Sequence, residues 1–191
     1  MKSDARTRYT ERVIRESFLS AMETKPYSRI TVKEICDGAQ INRATFYNHY
    51  KDVYDLMDHI EAGLLSDVDT MIEDADFTDL SAYLEMLLQN MRREGKTWLA
   101  LISPNGKPEI LTEIGRHITH QALPLLKANL KGRDEEEVHL TYLYILNGSA
   151  GVMRQWLTDG CRIPEAEVAH TLAELTQRSA DTGKNGRKKK K

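Results

Sequence analysis

The feature that most constrains this chain is a pair of helix-start signals set close together. Thr31 is followed three residues later by Glu34, the pattern of a capping box in which side chains satisfy orphan backbone N–H groups. Val32, Ile35 and Cys36 carry a short helix from there to about Ala39. Gln40-Ile41-Asn42 then makes a tight turn, and Asn42 caps a second short helix, Arg43 to Tyr50. Ahead of the pair, Val13, Ile14, Phe18, Ala21 and Met22 recur at spacings of three and four. This predicts a longer amphipathic helix over 6–23, closed by Pro26 and Ser28. A longer helix followed by two short ones across a tight turn is a helix-turn-helix unit.

The helical period continues to the end of the chain. Asp52 caps a helix from Val53 that carries Leu56, Ile60, Leu64 and Val68. Residues 79–94 place Leu80, Leu84, Leu87, Leu88 and Met91 on one side, Gly95 ends that helix, and Pro104-Asn105-Gly106 marks a loop. A run over 108–130 carries Ile110, Ile114, Ile118, Leu125 and Leu126, with a kink at Pro124. The strongest apolar helix spans 134–159, where Asp134 and three glutamates suit a positive helix start and Gly160 suits the C-terminal cap. A last helix, 165–178, carries Val168, Leu172 and Leu175. No segment alternates apolar and polar residues over a strand length, so the fold class is all-α. Residues 1–52 form a three-helix DNA-binding domain of helix-turn-helix type. Residues 53–180 form a helical bundle, and 181–191 a disordered basic tail.

Charge and motif content narrow the function. The net charge of −2 divides into +4 over residues 1–51, −12 over 52–182 and +6 over 183–191. A basic head on an acidic body points to a polyanion at one end. No run of 18 apolar residues crosses a membrane and no signal peptide opens the chain, so a cytoplasmic protein is expected. Cys36 and Cys161 lack CxxC spacing and read as reduced, buried thiols. GxSxG, P-loop and HExxH motifs are absent. His117 and His120 lie three apart without further ligands to complete a metal site. Neither an enzyme nor a cofactor is expected.

On a helical wheel Phe46 and Tyr50 share a face and should pack inward with Ile35, Ala39 and Ile41. Ala44, Thr45 and Asn48 then point outward, a small and polar surface suited to a major groove. Asn48 can bond a base edge, the Thr45 methyl can meet a thymine methyl, and Arg43 can reach guanine O6 and N7 round the helix end. Thr31, Lys33 and Lys51 offer hydroxyl, backbone N–H and charge to phosphates, and Tyr47 and His49 can donate to backbone oxygens on either side. The tail Arg187 to Lys191 reads as a solvated end or an added source of nonspecific DNA affinity.

These residues carry a family resemblance. Ile30-Thr31-Val32-Lys33-Glu34-Ile35, then Ala39-Gln40-Ile41-Asn42-Arg43-Ala44-Thr45-Phe46-Tyr47-Asn48-His49-Tyr50-Lys51-Asp52 and Leu56, resemble the DNA-binding signature of the tetracycline-repressor (TetR/AcrR) family. Gln40 stands where that family usually has glycine, which implies a left-handed residue strained by about 1 kcal/mol. The stretch Leu143 to Gly160 is similar to the subgroup containing the dihydroxyacetone kinase regulator. The resemblance implies a homodimer on palindromic double-stranded operator DNA, acting as a repressor and released when an unidentified small-molecule effector enters the C-terminal domain. The expected dimer contact is helices 134–159 and 165–178, where Gly148, Ser149, Ala150 and Gly151 allow close approach. Tyr83, Trp98, His117, His120 and Tyr142 are candidate pocket residues, with core or interface packing as the alternative role. The alternative overall reading is a helical interaction module, or an activator without a small-molecule pocket.

Overall fold

A computed structural model describes residues 2–73, 79–107, 109–110, 112–115 and 134–181, and every regular element among them is helical. In order these are α1 (Lys2–Met22), a 3-10 turn (Tyr27–Arg29), α2 (Val32–Ala39), α3 (Arg43–Tyr47), α4 (Val53–Glu73), α5 (Leu80–Arg93), α6 (Gly95–Ile102), α7 (Glu135–Thr158) and α8 (Glu165–Asp181). The expected all-α architecture is present. Of the expected helix over 108–130, residues 112–115 are helical and most of the remainder lies outside the described residues. Residues 182–191 of the expected tail lie outside them too.

Three boundaries differ from the sequence reading. Helix α1 begins at Lys2 rather than near residue 6. Helix α3 ends at Tyr47, although the amide of Tyr50 still donates to the carbonyl of Phe46 at 3.0 Å, so a helical bond persists into the following turn. Gly95 does not simply end a helix: Glu94 caps α5, and Gly95 opens α6. That helix escapes a periodicity argument because Thr97, Trp98, Ala100, Leu101 and Ile102 are all buried, leaving no broad polar face to set a period.

Packing divides the chain into two units. The first comprises residues 1–67 and 96–110. Its fully buried side chains include Ile14 and Phe18 of α1, Ile35 of α2, Phe46 of α3, Leu56 and Met57 of α4, and Trp98 and Leu101 of α6. Fully burying each large apolar side chain contributes about 1.5–3 kcal/mol, which is how five- and eight-residue helices persist that would not hold alone. Polar contacts fix α6 and the loop after it. Arg15 donates to the Thr97 hydroxyl at 2.7 Å, Asn105 donates through Nδ2 to the Met22 carbonyl at 2.9 Å, and Asn105 accepts from the Tyr27 amide at 2.9 Å. Lys107 pairs with Asp58 at 2.9 Å and with Glu61. Burial disfavours its charge, but hydrogen bonds to Glu61 and Asp58 outweigh this and push its pKa up to about 12. Gly106 is required where it stands, because a Cβ there would lie 2.2 Å from the Ala100 carbonyl oxygen.

The second unit comprises residues 68–95 and 111–191. Helix α5 packs chiefly on α8, burying Leu87, Leu88 and Met91 in a unit that also buries Val168, Ala169 and Leu172. Asp134 caps α7, its carboxylate accepting from the Glu137 amide at 2.7 Å. Gly160, with φ of 78°, closes α7 in the expected left-handed conformation. The corner is tied by Trp156 Nε1 donating to the Ile163 carbonyl at 2.8 Å and by Arg92 donating to the Cys161 carbonyl at 2.9 Å. Cys36 is buried and Cys161 half-buried, and both are free thiols whose pKa burial pushes up.

Candidate nucleic-acid interface

The interface is built from two capped helix starts. The Thr31 hydroxyl accepts from the Glu34 amide at 3.3 Å while the Glu34 carboxylate accepts from the Thr31 amide at 2.9 Å, which is the full capping box. Lys25 lies 2.5 Å from the same carboxylate. The Lys25 bond, followed by the two from Thr31, holds the Glu34 pKa down at about 2. At α3 the Asn42 carbonyl oxygen Oδ1 accepts from the Thr45 amide at 2.7 Å and from the Thr45 hydroxyl at 3.0 Å. Thr45 thus donates its hydroxyl proton to the cap.

The turn between the helices closes in a Schellman pattern. The Ile41 amide donates to the Cys36 carbonyl at 3.0 Å and the Gln40 amide to the Asp37 carbonyl at 3.4 Å. This places Gln40 at φ 55° and ψ 42°, in the left-handed region. This is the strain expected of a non-glycine residue at this position, because a side chain there crowds the backbone in a way that glycine does not. Gly38, two residues earlier, permits the approach of α1: a Cβ there would lie 2.4 Å from the Ser17 hydroxyl oxygen, which itself donates to the Ile35 carbonyl at 2.9 Å.

Helix α3 is inserted by its aromatic residues. Phe46 is fully buried, edge-on to Tyr47 and tilted against Tyr50, each with ring centroids 5.7 Å apart. Tyr50 is half-buried, packs on the edge of His59 and has its phenol pKa raised by burial. Arg43, Ala44, Tyr47 and Asn48 are exposed, and Thr45 is half-buried. Thr31, Lys33 and Lys51 are exposed at the flanks, and the Lys51 amide donates to Asp55 at 2.8 Å beside the α4 start, which Asp52 caps.

His49 is placed differently from the other candidates. Its Nδ1 lies 3.4 Å from a carboxylate oxygen of Glu11 on α1, and only 15% of its side chain is exposed. Glu11 was not found by sequence reasoning, since 38 residues separate it from His49 and no local pattern couples them. Of the candidate pocket residues, Tyr83 is buried in the second unit and Tyr142 is half-buried on α7. Trp98 belongs instead to the core of the first unit. His117 and His120 lie outside the described residues. Among the described residues no cluster of His, Cys, Asp and Glu could hold a metal ion, and no helix is long and apolar enough to cross a membrane.

Residues 78–178, 101 of the 191, match a family model for the C-terminal region of TetR-type transcriptional regulators. No curated protein matches the sequence. Among solved structures, a TetR transcriptional regulator from Streptococcus agalactiae 2603V is similar with a TM-score of 0.64 at 19% identity, covering 92% of this chain and 98% of that one. The dihydroxyacetone kinase operon activator DhaS gives 0.61 at 16% identity, covering 91% and 97%. The fatty acid degradation regulator FadR from Bacillus halodurans gives 0.54 at 17%, covering 93% and 97%. At these identities the structural likeness speaks for the fold.

Proposed function

Since the chain belongs to the TetR family of transcriptional regulators, we propose that it is a cytoplasmic repressor, and no enzyme, that grips palindromic operator DNA as a homodimer and releases it when a small molecule binds the C-terminal bundle. The observation that carries the DNA reading is the two-sidedness of one short helix. Phe46 is fully buried, Ala44 and Asn48 on the opposite side are exposed, and Arg43 and Tyr47, which flank the buried ring, are exposed as well. A helix held from behind by an aromatic anchor can be pressed into a major groove without losing its own packing. In this reading Arg43, Thr45 and Asn48, with the small Ala44, meet base edges. Thr31, Lys33, Tyr47 and Lys51 hold phosphates, and His49 assists from the rim. Residues 1–52 are the DNA-reading module.

Homodimerisation is supported by α7. Leu140, Tyr144 and Val152 are 60%, 70% and 43% exposed, and with Gly148 they recur every fourth residue along one stripe. A Cβ at Gly148 or Gly151 would meet nothing within 4 Å. An apolar stripe with open small-residue positions suits close packing against the same stripe of a second copy, and α8 also exposes an apolar side chain, Leu175 at 51%. Effector control is supported by α4, which contributes residues to both units and starts directly after the reading module. A ligand bound near Tyr83 and Tyr142 that shifted α4 would couple to DNA affinity by about 1–3 kcal/mol, and reciprocally.

The reading is tested by selecting duplexes from a random pool with the wild-type protein and sedimenting the protein at micromolar concentration. A dimer and a palindromic site with half-sites about 34 Å apart are expected. No sequence enrichment, or a monomer, would overturn it.

A further inference from the structure

The charge that distinguishes the head is not confined to the two short helices. Residues 2–15 of α1 carry five basic side chains and two acidic ones, +3 of the +4 found over residues 1–51. Arg6, Arg8, Tyr9 and Arg12 are all exposed. Tyr9 is 59% exposed, and the Arg12 guanidinium lies over its ring at 5.3 Å. Stacking of this kind orders a long arginine before it meets a partner, so less freedom is lost on contact.

The position of this stretch follows from the Glu11–His49 contact at 3.4 Å. That contact pins α1 to the far end of the α3 segment. The nine residues of α1 that precede Glu11 continue about 14 Å past it at 1.5 Å per residue. Glu11 directs its carboxylate at the imidazole, and Arg12 pairs with Glu16 one turn on at 3.1 Å, an exposed pair of the weak kind that a phosphate can displace. A helix lying in a major groove about 12 Å wide has a phosphate strand close to each of its ends. An exposed basic stretch joined by this contact to the end of the α3 segment is therefore close enough to serve such a strand.

Resting on the DNA reading above, we infer that Arg8 and Arg12, with Tyr9 between them, form a second clamp on the DNA backbone, outside the helix-turn-helix. The clamp adds affinity and fixes orientation without reading sequence. The fork of donors on each arginine and the phenol of Tyr9 suit phosphate oxygens.

The probe is the duplex enriched by the wild-type protein from a random pool, with affinity measured across a salt series. Replacing Arg8 and Arg12 by alanine in each protomer should remove about four phosphate contacts per dimer. The slope of log affinity against log salt should become shallower by about 3–4, and affinity should fall at least about tenfold at moderate salt. The enriched sequence should stay the same. Arg8→Lys with Arg12→Lys should restore most of the slope, and Tyr9→Phe should show a smaller loss. The double variant Arg93→Ala and Arg162→Ala removes the same charge from exposed sites in the second unit and should leave the slope nearly unchanged. Circular dichroism confirms that each variant is folded, as expected for surface positions. An unchanged slope and affinity in the Arg8/Arg12 variant, or an equal effect from the control pair, would overturn the clamp while leaving the DNA reading intact. A wild-type protein that enriches no duplex would overturn both.

Discussion

Replacing Gln40 by glycine should stabilise this protein. Gln40 sits at φ 55° in the closing position of α2, where an L side chain costs about 1–2 kcal/mol and glycine does not. Glycine also loosens the unfolded chain, which takes back about 0.4–1 kcal/mol. The balance is a gain of about 0.5–1 kcal/mol, a rise in melting temperature of roughly 1–4 °C for a chain of this length. Urea unfolding monitored by circular dichroism should show a higher midpoint with an unchanged slope. Gln40→Ala is the decisive companion, because alanine keeps the Cβ and hence the strain. Its midpoint should stay close to that of the wild type. If glycine and alanine shifted the midpoint equally, or glycine lowered it, the backbone strain assigned to the turn would be refuted.

Thr31→Ala should cost about 1 kcal/mol by uncapping α2, read as a lower urea midpoint. Glu34 has its pKa lowered on folding from its ordinary 4.5 to about 2, so it stabilises the fold above 4.5 and this is lost as pH falls toward 2. Over that window the midpoint of Glu34→Gln should vary less with pH than that of the wild type. Gly106→Ala should destabilise by about 1–3 kcal/mol, since the new methyl would meet the carbonyl oxygens of Ala100 and Leu101 at 2.2 and 2.5 Å; a neutral outcome in urea unfolding would contradict the tight loop. Tyr144→Glu, on the exposed α7 stripe, should raise the dimer dissociation constant by at least about tenfold in sedimentation without lowering helicity.

The parts of the fold that sequence reading reached are those fixed by neighbours a few residues apart. Thr31 with Glu34, Asn42 with Thr45, and Asp134 with Glu137 are caps whose partners lie within one turn, so residue type and spacing suffice. The left-handed turn was legible because one residue, Gln40, breaks a pattern that a turn of this kind imposes. What escaped depends on distance along the chain or on missing periodicity. The Glu11–His49 contact joins residues 38 apart, and Lys107 reaches back to Asp58 and Glu61 across more than 40 residues. Helix α6 is buried along most of its length and presents no amphipathic stripe. Trp98 illustrates the consequence. As an isolated aromatic it reads equally as pocket or core, and only the packing of α6 assigns it to the core of the first unit.

The central claim is that the exposed side of α3 distinguishes one base sequence from another. The direct measurement is the ratio of affinities for the enriched duplex and a scrambled duplex of equal length, at one salt concentration, for the wild type and for Arg43→Ala combined with Asn48→Ala. Loss of two base contacts at about 1–3 kcal/mol each should collapse that ratio by at least about tenfold while affinity for the scrambled duplex changes little. A double variant that keeps the wild-type ratio would show that sequence is read elsewhere.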